Sequence, residues 1–533
     1  MKRVLLPILI ILFAHNAMGN NLYWIQFNTK VNTPFQIEHP EHFLSVRAIE
    51  RRARMNIKID SSDLPVNPEF VDSLKQLGFS VKHTSRWMNG AIASLPSEVD
   101  SDSIFQPSFV SFYQIRKDTP LKSTTNKFSE EDSLAQKYYG DSFNQISMLN
   151  GHILHQYSKG EGTHVAIIDA GFNNADINNV FDSLRYYDGI LGTFDFVSPG
   201  NNVYLEHNHG TSVLSTMAGN VPGQLIGAAP MAKYWLLRTE DSPTEFPVEE
   251  DYWIVAVEFA DSVGCDVINT SLGYTTFDNP IFNHQYSELD GNTIRASIAA
   301  NRAVEKGIVV VCSAGNSGND AWFHIGVPSD AKKALSIAAV DSNRKIASFS
   351  SRGFTDSLFP PKPDVAAKGV SVTLSSTPGI ITNSSGTSFS GPIIAGMAAC
   401  LVSYFPEKNA EEIINLIRSS GDRFPEHNIE YGYGIPNFSS LLDTTNNFVY
   451  QKPDRNVSIY PNPFTISLTI EYPLDFNRVE IFNIQGLKVF SSTLSTSGRS
   501  EISTNKLSNL PKGVYFAVLK GNKENSPFQL IKY

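Results

Sequence analysis

The spacing of apolar positions changes character twice along the chain, and each change marks a block. From Asn20 to about residue 116 the pattern is mixed. Leu22-Tyr23-Trp24-Ile25-Gln26-Phe27 reads as a strand, and Glu69 to Leu77 as a short helix closed by Gly78, where glycine tolerates the left-handed cap. Phe79 to Trp87 and Ala91 to Leu95 read as strands joined through the turn pair Asn89-Gly90. A helix and a hairpin in so short a span predict a small α+β domain. The polar stretch Lys117 to Gln136 has almost no apolar period and predicts a linker, so domain and linker together cover residues 20–136.

From residue 138 to 446 short β-branched runs alternate with helical stretches. The runs are Thr163 to Ile168, Tyr234 to Arg238, Asp266 to Asn269, Ile308 to Cys312 and Ala334 to Val340. Continuous apolar strands between helices predict an α/β domain, a mostly parallel sheet with helices on both faces. Such sheets bind ligands beyond the carboxyl ends of their strands. From 453 to 533 the texture becomes apolar/polar alternation (Leu468 to Tyr472, Val479 to Ile481) punctuated by Gln485-Gly486 and Lys512-Gly513. That predicts a C-terminal antiparallel β-sandwich domain.

The N-terminus carries an export address. Lys2 and Arg3 precede the apolar run Val4 to Ala14, and Ala17-Met18-Gly19 offers small residues for cleavage, so residues 1–19 read as a signal peptide. The run is too short to span a bilayer. The charge balance, 53 acidic against 43 basic residues, lacks the basic footprint of a nucleic-acid binder. Cys265, Cys312 and Cys400 each sit in an apolar run and read as small buried hydrophobes. No CxxC or HExxH occurs, so no metal site is predicted.

Four positions carry candidate chemistry. Asp169 ends the run Thr163 to Ile168, where a carboxylate can be held rigidly at the sheet's edge. His209-Gly210-Thr211 opens a helix with Val213, Leu214 and Met217 on its apolar face, a placement that suits a general base. Ser388, in Gly386-Thr387-Ser388-Phe389-Ser390-Gly391-Pro392, stands at the first turn of a helix apolar nearly all round. Unpaired N–H groups and the helix dipole can receive a developing oxyanion there. In Ser313-Ala314-Gly315-Asn316-Ser317-Gly318, glycines flank an asparagine whose amide could reach the same anion. Taken singly, these residues also read as a capping aspartate, a solvated histidine, an N-cap serine and an Asn-Gly turn.

Taken together they resemble the subtilases, the subtilisin-like serine proteases, across the whole of residues 138–446. The order Asp169, His209, Ser388 is the subtilisin order of a catalytic triad. The resemblance implies a serine endopeptidase acting on protein or peptide substrates, with Asn316 in the oxyanion hole. It implies further that Ser271, Leu272 and Gly273 form one wall of the S1 pocket, Ala314 and Gly315 the facing wall, and Gly326 the floor. A glycine floor leaves space, so a bulky apolar P1 residue is expected. The family's second histidine is Ser212 here, outside the triad, and Asn220 to Gln224 does not reproduce its calcium loop. No cofactor is therefore expected, calcium lacking a recognisable loop.

The first block resembles a subtilase propeptide, an intramolecular inhibitor that must be cut away. The third resembles the sorting domain of type IX secretion in Gram-negative bacteria, through Tyr460-Pro461-Asn462-Pro463-Phe464, Ile481 to Gly486 and Leu510 to Tyr515. By composition alone it also reads as a carbohydrate-binding or stalk-like module. These likenesses imply a monomer exported through the periplasm to the medium or cell surface, with outer-membrane secretion machinery as partner and no nucleic acid. The alternative from another class is a non-catalytic, surface-displayed binding protein on the same scaffold. It predicts a broken triad or a missing oxyanion residue, yet all four residues are present.

Overall fold

The structure is a computed structural model that describes residues 20–96, 108–117, 136–442, 458–460 and, with short gaps, 464–532. The predicted signal peptide, residues 1–19, most of the predicted Lys117 to Gln136 linker, the Asp443 to Asn456 stretch and parts of the sorting motifs lie outside the described residues. The chain forms two compact units, Met1–Leu442 and Asp443–Tyr533.

In the first unit, strands β1 (Asn20–Phe27), β2 (Ser80–Ser85), β3 (Gly90–Pro96) and β4 (Val110–Lys117) form an antiparallel sheet of order β2-β3-β1-β4. Two helices accompany it, α1 (Val46–Arg54) and α2 (Pro68–Gln76). The left-handed turns fall at Gly78 (φ +93°) and Asn89 (φ +50°), as the turn chemistry requires. The apolar rhythm does not disclose α1. Its buried positions are Ala48, Arg51 and Arg52, so the inward face is written in arginine.

Seven parallel strands make the central sheet: β5 (His164–Asp169), β6 (Ile190–Asp195), β7 (Lys233–Arg238), β8 (Val267–Thr270), β9 (Val309–Ser313), β10 (Leu335–Val340) and β11 (Val365–Lys368). Their order is β11-β10-β9-β8-β5-β7-β6. Strands β8 to β11 are buried at every residue, as expected of a sheet covered on both faces. Helix α3 (His209–Ala218) packs on α6 (Thr387–Tyr404), which lies across β8, β9, β10 and β11. Helices α4 (Val248–Val263) and α5 (Arg295–Glu305) pack together, and α7 (Ala410–Ser419) packs on α5. Helix α6 is apolar enough to cross a membrane by composition, but 83% of it is buried within the protein, so it is a core helix.

The antiparallel sheet of the first block sits on α4 and α5. Leu22, Trp24, Trp87 and Ile92 join the apolar cluster of the central domain, and the Arg295 guanidinium lies over Trp24 at 4.3 Å. Around this patch the contacts are charged. Asp261 of α4, fully buried, takes ion pairs from Arg51, Arg52 (2.6 Å) and Arg86 (2.5 Å). Burial alone would raise its pKa; the three guanidiniums outweigh that and hold it below the ordinary carboxylate value. Arg116 pairs with Glu250 at 2.8 Å and Asp251 at 2.9 Å. Glu258 accepts the Arg86 and Trp87 N–H groups at 2.9 and 3.1 Å.

In the second unit, one sheet pairs Ser467–Glu471 with Ser458–Tyr460 and Arg499–Ser503. The other runs Lys488–Thr493, Phe476–Asn483, Gly513–Gly521, Phe528–Lys532. All named pairs are antiparallel. Leu468, Ile470, Val479, Ile481, Leu519 and Leu530 share one core, in keeping with the predicted alternation.

Candidate active site

Asp169 ends β5 at the carboxyl edge of the sheet, 1% exposed, with its carbonyl held by the Thr239 N–H at 3.1 Å. Its Oδ1 accepts from Ala170 N at 2.8 Å and pairs with His209 Nδ1 at 2.7 Å. The other oxygen, Oδ2, is buried without a hydrogen-bond partner. His209 is the first residue of α3, and the helix start lies hard against the strand end. A Cβ at Gly210 would stand 2.4 Å from the Gly171 carbonyl and 3.0 Å from Asp169 Cβ, so this close approach needs glycine. His207 is exposed and its Nδ1 accepts the His209 N–H at 3.1 Å, a neighbour to the pair and not a member of it.

Burial of His209 disfavours the imidazolium, but the charge and hydrogen bond of Asp169, helped by Glu240, raise its pKa above the ordinary value. Glu240 is a residue that the motifs did not single out. Its Oε1 accepts from the Thr239 hydroxyl at 2.6 Å and the Tyr274 hydroxyl at 2.9 Å. Burial above all, together with the charge of Asp169, pushes its carboxyl up to about 7 against those hydrogen bonds.

Ser388 is the second residue of α6, part-exposed at the mouth of the cleft. Its Oγ donates to the Ser271 carbonyl at 3.3 Å and makes no hydrogen bond to His209. Pro392, inside α6, has no N–H to give the Ser388 carbonyl one turn back. The Ser271 hydroxyl donates to that carbonyl instead, at 2.9 Å, and Ser313 does the same for the Thr387 carbonyl at 2.7 Å. The helix start is thus tied to β8 and β9.

Asn316 follows Gly315, whose φ of +105° suits glycine. The Asn316 Oδ1 accepts both the N–H and the hydroxyl of Thr387, each at 2.9 Å. With the oxygen so engaged, the amide Nδ2 is the end left to donate into the cleft. Thr387 therefore sets the orientation of Asn316. The sequence carried a signal for it only in the Gly-Thr lead before the serine.

The six predicted pocket residues, Ser271, Leu272, Gly273, Ala314, Gly315 and Gly326, line one cavity of about 150 Å³ together with Asn316 and Ser388. A Cβ on Gly326 would meet Thr275 Cγ2 at 2.8 Å and the Tyr274 carbonyl at 3.0 Å. Thr275 thus packs against the face of Gly326 on which a side chain would stand. Among the described residues no cluster of three His, Cys, Asp or Glu side chains is placed to hold a metal. Asn220–Val221 and Leu225–Ile226 pair as a short antiparallel hairpin.

An Asp–His pair and a helix-borne serine thus stand at the carboxyl edge of a doubly covered parallel sheet, and the comparisons with known proteins make the chain a serine endopeptidase. A family model described as the subtilase family matches residues 160–435, and the chain belongs to that family. A model of the peptidase S8 propeptide domain of Bacteroidota matches residues 22–132, and one of the secretion system C-terminal sorting domain matches 458–532. The chain is 28% identical over 373 residues to subtilisin E of Bacillus subtilis, covering 69% of this chain and 84% of that one. It is 31% identical over 285 residues to subtilisin DY of Bacillus licheniformis, covering 52% and 90%. A thermostable alkaline protease of Halalkalibacterium halodurans matches at 28% over 295 residues, covering 54% and 70%. The first block is accordingly a propeptide. The C-terminal unit is a sorting domain of type IX secretion, which directs the enzyme to the medium or the cell surface.

Proposed function

We propose that Asp169, His209 and Ser388 form the catalytic triad of this peptidase and that Asn316 completes its oxyanion hole. Ser388 Oγ attacks the scissile carbonyl while His209 takes its proton and returns it to the leaving amine; water then hydrolyses the acyl-enzyme. Asp169 keeps the proton on His209 Nδ1 and stabilises the imidazolium. The Asn316 Nδ2 and the Ser388 N–H receive the oxyanion. Ser271 to Gly273 and Ala314-Gly315 flank the P1 side chain. The Ser388 hydroxyl turns from Ser271 to His209 by a rotation about χ1, a tightening that catalytic hydrogen bonds commonly undergo when substrate binds.

The observation that carries this reading is the 2.7 Å Asp169–His209 pair, with the Asn316 oxygen locked by Thr387 so that its amide faces the same cleft. The propeptide, seated on α4 and α5, holds the enzyme as a zymogen until it is cut within the Lys117 to Gln136 linker. Ser388→Ala should abolish peptide hydrolysis in a protein that still folds, and should accumulate the uncut form. An organophosphate should label the wild type at Ser388 alone. Turnover by the variant, or label on another serine, would overturn the assignment.

A further inference from the structure

The S1 cavity contains one imidazole, and the catalytic reading does not use it. His324 lines the cavity, beside the hydroxyl residues Thr275, Ser317 and Ser351; Leu272 is the single large aliphatic side chain in the wall, and no acidic residue contributes. The ring of His324 is fixed. It stacks on Phe354 with centroids 4.0 Å apart and planes 16° from parallel, and its Nδ1 faces the Gly353 carbonyl at 2.9 Å. A carbonyl only accepts, so Nδ1 carries the proton. The neutral imidazole then has an acceptor at Nε2, which has no protein partner among the described residues.

The backbone that presents this ring is strained. Phe323 has φ +60°, a left-handed conformation unfavourable for a bulky residue. The corner is held by the His324 N–H on the Trp322 carbonyl at 2.6 Å, the Arg352 N–H on the Phe323 carbonyl at 3.1 Å and the Tyr286 hydroxyl on Trp322 O at 2.6 Å. Strain maintained by so many bonds is characteristic of a functional position.

We infer that His324 sets the P1 specificity of this enzyme, selecting a hydrogen-bonding carboxamide side chain, glutamine or asparagine. The P1 amide NH2 donates to His324 Nε2, and its oxygen accepts from the Thr275 or Ser317 hydroxyl, neither of which donates to the protein among the described residues. An apolar P1 side chain would strip water from Nε2 and those hydroxyls and return nothing. The inference rests on the S1 assignment proposed above.

The test is kcat/KM on peptides that differ only at P1, as Gln, Met or Phe. Gln should exceed Met, its apolar near-isostere, roughly tenfold. In His324→Leu that ratio should fall to about one or below. A wild-type preference for Met or Phe over Gln would overturn the inference, and so would an unchanged ratio in His324→Leu. The wild-type series decides by itself if the variant does not fold. Organophosphate labelling of Ser388, which needs no P1 side chain, separates these outcomes from failure of the catalytic reading, in which Ser388 stays unlabelled and no peptide of the series is cleaved.

Discussion

Helices α4 and α6 are both buried over most of their length, and by opposite means. Helix α6 is enclosed by side chains that water rejects: Ile393, Ile394, Met397 and Leu401 are all fully buried against the sheet. Helix α4 is covered by the propeptide across a small apolar patch ringed with carboxylates, of which Glu250, Asp251, Glu258 and Asp261 are buried. Exposing apolar surface costs about 25 cal/mol per Å², so the α6 contact has no comfortable open state. Ion pairs differ. Removing one partner strands a buried charge, but parting the two faces together lets water solvate both. The charged seam suits a piece that must fit one way and later leave; the apolar seam suits one that never does.

The sharpest way to break that contrast is Asp261→Ala. It takes the shared carboxylate from Arg51, Arg52 and Arg86 in the zymogen, leaving Arg52 its pair with Asp63 at 2.8 Å, at an expected cost of about 3–5 kcal/mol to propeptide docking. After processing, the fragment should no longer co-elute with the enzyme, whereas the stability of the mature enzyme should barely move. If the fragment stays bound, the apolar patch carries the contact and the charges do not. The matching change in the other helix is Leu401→Ala, expected to cost about 2–5 kcal/mol. Denaturant melts should record that loss equally before and after the propeptide is removed; a loss confined to the zymogen would erase the distinction.

A third change isolates the chemistry at the start of α6 from its packing. Asn316→Ala should lower kcat by about 10²–10³ with little change in KM. A loss seen in KM alone would assign Asn316 to ground-state binding. The smallest effect is a pH shift. The negative charge of Glu240 helps to raise the pKa of His209, and activity needs the neutral imidazole, so activity falls as pH drops through that pKa. With its own carboxyl pushed up to about 7, Glu240 carries only part of that charge over the acid limb, so Glu240→Gln should move the limb of kcat/KM to lower pH by less than about one pH unit. An acid limb that stays in place or moves upward would mean that the carboxyl is neutral there already.

What the sequence disclosed follows from the same physics. The β-branched runs ending at Ile168, Asn269, Cys312 and Val340 mark the inner strands, because a strand buried on both faces has no polar alternative. The triad candidates were legible because each closes a strand or opens a helix, Asp169 ending β5 and His209 and Ser388 standing in the first turns of α3 and α6. Helix α1 escaped because its buried face is arginine, which becomes apolar in effect only when Asp261 meets it. Thr275 and His324 escaped because no local period brings them to the pocket. Thr275 arrives by filling the space that Gly326 leaves, and His324 by a strained corner tied to a distant loop.

Cys265, Cys312 and Cys400 are free and fully buried, on or beside the sheet and inside α6, and burial drives each thiol above its ordinary pKa. A thiol that is neither ionised nor reachable does not exchange disulfides. The folded enzyme is therefore indifferent to the oxidising compartments its export route crosses, and its redox hazard is confined to the interval before folding ends. The propeptide adds to the enclosure at Cys265, whose carbonyl accepts directly from Arg51 of α1.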